Sequence, residues 1–171
     1  MAALAAMAWL TSCQPHPAPT PHAATTPQPE PSPRSGAAPR LADAASEFNA
    51  LLGKGDYAGA IAFVEKSALT AAEKDGVTGT LILDGLVDPS ASTRPAHPLA
   101  EGFTRMERAA AAGREQSVAD LRAKFTTGIN YEGKNILLPP HRALAECWAN
   151  VEAGNEKATA CISMRQRLRV P

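Results

Sequence analysis

From Ala44 onward the apolar residues recur at intervals of three and four, the spacing that gathers them on one face of an α-helix. Ala44, Phe48, Leu51 and Leu52 open this pattern. Gly53-Lys54-Gly55-Asp56 supplies a C-terminal stop and then an N-cap, so a helix–turn–helix is predicted. The second helix is expected over Tyr57–Lys74, with Ala60, Ile61, Val64, Ala68 and Leu69 on one face and Asp75-Gly76 as its end. A shorter apolar segment, Val77–Val87, contains Leu81, Ile82, Leu83 and Leu86. Its β-branched residues permit a strand, but hairpin partners are absent and a helix is expected. Asp88–Pro98 holds three prolines among small polar residues and reads as a loop. Further helices are predicted over Pro98–Ala112, Arg114–Thr127, Pro140–Ala153 and Asn155–Arg167, with Gly113 and Gly154 at two turns and Pro139-Pro140 introducing another. The predicted fold class is all-α.

Ahead of this domain the pattern changes twice. Residues 1–12 form an apolar Ala/Leu/Met/Trp run ending in Leu10-Thr11-Ser12 directly before Cys13, too short to span a bilayer as a permanent helix. Small residues before a cysteine resemble the lipobox of bacterial lipoprotein signal peptides. The resemblance implies that residues 1–12 are removed and that Cys13 becomes the acylated first residue, with palmitate among its lipids. Gln14, where a retained lipoprotein has Asp, implies the periplasmic face of the outer membrane. No Lys or Arg precedes Leu10, whereas such signals open with positive charge, so the natural start is expected upstream of Met1. The competing reading, a buried N-terminal helix, has no following segment to pack against.

Residues 13–40 then carry prolines at Pro15, Pro17, Pro19, Pro21, Pro27, Pro29, Pro31, Pro33 and Pro39, with almost no large apolar side chain. Such a tract cannot bury a core and is expected to be disordered. In polyproline II geometry it reaches on the order of 80 Å, enough to lift a domain off a membrane. As a ligand for an aromatic groove it lacks a basic PxxP core. His16 and His22 are isolated imidazoles in this tract and form no metal-ligand set.

Residues 41–171 suffice for one domain with its own core. The chain has 17 basic and 17 acidic residues, so no net field recruits nucleic acid. Alternating charges in Glu65-Lys66, Arg105-Met106-Glu107-Arg108 and Glu156-Lys157 are expected on solvated helix faces.

Leu99-Ala100-Glu101-Gly102-Phe103 and Leu144-Ala145-Glu146-Cys147-Trp148 share L-A-E-x-aromatic, and each leads into a segment ending in Gly113 or Gly154. An offset of about forty residues is that of stacked helical hairpins. Small residues such as Ala100 and Ala145 let antiparallel helices approach, while Phe103 and Trp148 fill the groove between pairs. Arg108-Ala109-Ala110-Ala111-Ala112-Gly113, with Ala119, Leu121, Phe125 and Gly128 after it, resembles the K-A-A-x-x-G turn and following helix of the Sel-one-like repeat, a relative of the tetratricopeptide repeat. Ala100-x-x-Phe103 and Ala145-x-x-Trp148 resemble that family's A-x-x-W element, and Gly55–Leu69 resembles a tetratricopeptide helix. Arg122 stands where the family has glycine. The resemblance implies a short α-solenoid that binds a protein or peptide through no chemistry of its own.

Cys147 and Cys161 lie equally far on either side of Gly154, so a hairpin turning there sets them opposite one another about two helical turns from the bend. A disulfide closing a loop of about 15 residues contributes up to about 3 kcal/mol; the alternative is two small buried thiols at an alanine-type interface. Cys13, consumed by lipid, leaves an even pair.

Catalytic constellations are missing from the sequence: it has no H-E-x-x-H, C-x-x-C or G-x-S-x-G. His97 and His141 each sit beside prolines at a helix start, where capping or exposure is expected ahead of general-base catalysis. Glu101 and Glu146 occupy equivalent places on two helices and are expected to face solvent or cap a turn. Arg165, Arg167 and Arg169 are read as a charged final helix face, the alternative being contact with an acidic partner or anionic lipid. No cofactor and no metal are expected. The function expected is a membrane-tethered periplasmic adaptor binding another envelope protein near its second and third hairpins, such as an immunity protein or a component of an envelope complex. The alternative is a small cell-wall hydrolase, or an accessory to one, built on His97, His141 or the glutamates.

Overall fold

The structure is a computed structural model that describes residues 41–131 and 135–171. The expected signal peptide of residues 1–12, the expected acylation site Cys13, the proline-rich tract, His16 and His22 lie outside them. In chain order the elements are α1 (Leu41–Gly53), α2 (Tyr57–Lys66), α3 (Ala71–Val87), α4 (Leu99–Ala111), α5 (Glu115–Thr127), β1 (Ile129–Tyr131), β2 (Asn135–Leu138), α6 (Arg142–Glu152) and α7 (Ala158–Leu168). Among the described residues no helix is long and apolar enough to cross a membrane.

One turn is used three times. At the end of α1 the Asp56 N–H donates to Leu51 C=O (2.9 Å) and the Gly55 N–H to Leu52 C=O (2.9 Å). After α4, Arg114 N–H reaches Ala109 C=O (3.0 Å) and Gly113 N–H reaches Ala110 C=O (3.0 Å). After α6, Asn155 N–H reaches Asn150 C=O (2.8 Å) and Gly154 N–H reaches Val151 C=O (3.0 Å). This paired bond is the Schellman ending, and it needs a left-handed residue in the middle. Glycine occupies that place each time, at φ of 67°, 89° and 75°. Asp56 then caps α2 by accepting from the Gly59 N–H (2.9 Å), as the sequence predicts. Thus α1–α2, α4–α5 and α6–α7 are three hairpins closed by the same backbone device. The chain's last helix ends in the same pattern, with Arg169 at φ 52° in the glycine's place.

The boundary between the second and third helices is not at Asp75-Gly76. The predicted helix Tyr57–Lys74 stops at Lys66, and α3 runs unbroken from Ala71 through Gly76 to Val87. The cause is a capping box: Thr70 Oγ1 accepts from the Glu73 N–H (3.3 Å) and Glu73 Oε2 accepts from the Thr70 N–H (2.8 Å). Gly76 is buried inside the helix, where an added Cβ would meet the Arg114 guanidinium and Ser117 Oγ.

Packing proceeds from each helix to the next through α2, α3, α4, α5, α6 and α7, and α7 also returns to α4. Helix α3 serves two cores. Leu81 and Ile82 join Ala60, Ile61 and Val64 of α2 in an aliphatic core, and Leu83 joins a larger one with Phe103, Met106, Leu121, Phe125 and Trp148. Glycines make its contact with α4 close: a Cβ on Gly79 would lie 2.8 Å from Gly102 C=O, and one on Gly102 would lie 2.6 Å from Leu83 Cδ2. Gly102, not Ala100, provides the small position here, since Ala100 is exposed and Ala145 half-buried.

The all-α prediction describes the body of the domain and omits one antiparallel hairpin. β1 pairs with β2 in the register Ile129↔Leu138, Asn130↔Ile136 and Tyr131↔Asn135, with an irregularity after Ile129. Gly128 turns the chain at φ 73°, where a Cβ would lie 2.5 Å from Leu138 C=O. Ile129 and Leu138 are buried in the larger core, and the His141 N–H donates to Phe125 C=O (2.8 Å), bringing the chain back beside α5.

Candidate functional site

The α6–α7 hairpin carries the most specific chemistry. Cys147 and Cys161 face each other across it and are joined in a disulfide, with Cα atoms 5.7 Å apart. Trp148, next to Cys147, is fully buried and its indole Nε1 has no hydrogen-bond partner. Phe103, the aromatic of the matching L-A-E segment, is also fully buried and stacks on Phe125 at 5.0 Å between ring centroids. Both aromatics therefore act as packing groups, while Gly113 and Gly154 stand at the paired turns.

One turn beyond Cys161, Arg165 is buried, which corrects its reading as part of an exposed basic face. Its Nε and Nη2 donate to the two carboxylate oxygens of Glu107 (2.6 and 2.8 Å), and its Nη1 donates to Val170 C=O (3.0 Å). The guanidinium also lies 5.9 Å from the centre of the Phe103 ring. Glu107 is likewise buried and not solvated, because it falls on the α4 stripe of Phe103, Met106 and Ala110. That stripe at i, i+3, i+4 and i+7 is readable in the sequence and marks Glu107 as a charge needing a partner. Arg167 and Arg169 remain exposed.

A second set of charges ties α2, α3 and α4. Arg105 contacts Glu65 (2.6 Å) and Glu101 (2.9 Å), and Arg108 grips Asp75 with two bonds of 2.9 and 2.8 Å. Burial works against the Arg105 charge, but the hydrogen bonds it donates to Glu101 and Glu65 prevail and raise its pKa; the bonds to Asp75 raise that of Arg108. Glu101 thus pairs with an arginine one turn on, and Glu146 with one a turn back, Arg142 (2.6 Å).

The two histidines part ways. His141 caps α6, its Nδ1 accepting from the Leu144 N–H (3.3 Å). His97 makes no cap, since α4 starts from Pro98 without a side-chain bond.

A third polar set fastens the Asp88–Pro98 loop to the α1–α2 turn. Thr93 Oγ1 donates to Asp56, the Ser92 N–H to Gly55 C=O (2.9 Å), and Tyr57 Oη to Asp88 Oδ2 (2.8 Å). The Thr93 hydroxyl, then the Gly59 N–H, lowers the pKa of Asp56. Ser90 and Tyr57 lower that of Asp88, while burial and Asp88 push the Tyr57 phenol up to about 12.

Where the second and third hairpins meet, Glu115, Gln116 and Ala119 of α5 and Val151 and Glu152 of α6 line a shallow open groove, bordered by the Arg122–Glu152 pair (2.7 Å). Among the described residues no group of three His, Cys, Asp or Glu side chains is placed to hold a metal. The arrangement offers covalent bracing and surface relief, with Glu107, Arg165, Glu101, Arg105, Asp75 and Arg108 engaged in ion pairs. Comparisons with protein-family models, with curated proteins and with solved structures found no match.

Proposed function

We propose that this chain is a lipid-anchored, periplasmic protein-binding adaptor of the helical-repeat type, tethered through Cys13 and the proline-rich tract to the outer membrane. An immunity protein and a component of an envelope complex are both forms of this role. The observation that carries the reading is the recurrence of one hairpin unit. A fully buried aromatic follows L-A-E in α4 and α6, and the same glycine-centred turn follows each helix. Repeated hairpins build extended surfaces for other chains. The groove between the second and third hairpins is where the partner is placed. The disulfide favours an oxidising compartment. In this reading the return of α7 onto α4 closes the end of a short solenoid.

Affinity capture of the full chain from detergent-solubilised membranes tests the binding role. One stoichiometric protein partner, lost on charge reversal at Glu115 and Glu152, is expected. Turnover of peptidoglycan fragments by the purified protein would overturn it in favour of a hydrolase. Incorporation of labelled palmitate, abolished by Cys13→Ser, tests the tether separately.

A further inference from the structure

Helix α7 is attached to the domain differently from its neighbours. Helix α4 buries six residues and α5 buries four, but of the eleven residues of α7 only Cys161 and Arg165 are buried. Ile162 and Met164 are only partly covered. One of the two anchors is covalent and the other is an ion pair. Burying such a pair gains little net stability, because the desolvation of both ions offsets their attraction. Hydrophobic burial therefore contributes least to holding α7, and the disulfide carries most of what remains. Helix α7 packs chiefly on α6 and α4, so a swing on the Ala153–Lys157 connection leaves the α3–α4 and α5–α6 packing in place. Its departure separates Arg165 from Glu107 with both returned to water, and neither is left as a lone buried charge.

We propose that the Cys147–Cys161 disulfide is a reversible latch, and that its reduction frees α7 and uncovers the α4–α6 face around Phe103, Glu107 and Cys147. Cys147 retains 8 % of its surface and Cys161 none, so attack falls on Cys147. A dithiol reductant, small or carried by a thiol–disulfide exchange protein, adds one thiolate to Cys147 Sγ. The S–S electron pair leaves on Cys161 Sγ, which takes up a proton. The second thiol of the reductant then displaces Cys147 as a thiol, and the reductant departs as its own disulfide. This device is independent of the adaptor role.

Hydrogen exchange read by mass spectrometry on the full chain, before and after dithiothreitol, tests it. Amides of Ala158–Leu168 are expected to exchange at least about tenfold faster after reduction, while α3, α4 and α5 hold their protection. Unchanged α7 exchange in protein whose two thiols are shown to be free by alkylation overturns the latch. So does loss of protection in all helices together. The Cys147→Ser/Cys161→Ser variant should reproduce the reduced pattern without reductant; if it does not fold, reduced wild-type protein supplies the answer. With the disulfide intact, the Glu107→Leu/Arg165→Met double variant, which removes the pair without stranding a charge, must leave α7 protected, and release there overturns the latch by assigning the hold to the ion pair.

Discussion

The hairpin of α1 and α2 and the hairpin of α6 and α7 end their first helices with the same backbone bonds, yet they are held in the domain by different means. Around Gly55 the turn is pressed against the Asp88–Pro98 loop, where a Cβ would lie 2.6 Å from Ser90 C=O. Around Gly154 nothing lies within 4 Å. The first hairpin has an aliphatic core, Ala60, Ile61 and Val64, and a strapped loop. The last has Leu144 and Trp148 of α6 in the larger core, and its second helix is fastened by a disulfide and one buried ion pair. Identical local geometry is thus compatible with unlike tertiary support, because the Schellman bonds are satisfied within the helix and ask nothing of their surroundings.

The strongest test of this contrast removes one ion from the C-terminal side. Glu107→Ala strands the Arg165 charge and should cost about 3–5 kcal/mol, whereas Glu107→Leu combined with Arg165→Met should be close to neutral. Urea unfolding followed by the fluorescence of buried Trp148 measures both. Next comes the shared turn itself. Gly113→Ala meets open space and should cost about 1–2 kcal/mol for the left-handed conformation alone. Gly55→Ala adds a clash with the loop backbone and should exceed that by about 1–3 kcal/mol. Equal losses at the two sites would show that the loop does not bear on the turn.

A smaller effect concerns pH and belongs to the N-terminal side. The Tyr57 phenol is raised from 10.0 to about 12, so the neutral form is favoured in the fold. Its stabilisation is whole below pH 10.0 and fades as pH climbs towards about 12. Asp88, depressed below 3.8, has the opposite sign: its contribution is whole above that value and fades as pH falls through the lowered one. Thermal midpoints should therefore decline at both extremes, and Tyr57→Phe should flatten the alkaline limb. The smallest effect is a gain. Arg169 fills the left-handed position that glycine fills elsewhere, so Arg169→Gly should add up to about 1 kcal/mol to the melting stability.

Much of the helical body was legible because its stops are local. Gly113, Gly154 and the Pro139-Pro140 pair bracket α4 to α7 within a few residues of the predicted ends. The disulfide was legible from symmetry about Gly154. The α2–α3 boundary is legible too, in the capping box of Thr70-Ala71-Ala72-Glu73, but Gly76 is the more conspicuous stop signal in the sequence. That glycine serves packing against α5, a demand set by tertiary contact. The small β-hairpin was missed because only Ile129, Tyr131, Ile136 and Leu138 signal it, too few alternations to stand out among helices. Glu107 could be placed on an apolar stripe, but its partner 58 residues away could not be named from spacing alone.

Helix α3 has a practical consequence through its two-sided burial. A single cut between Asp88 and Pro98 leaves α3 on one piece with Leu83 bare, and on the other piece the pocket that receives it. Such halves are made to rejoin, so co-expressed fragments should co-elute as one species, and reporters fused to the new ends would signal when they meet.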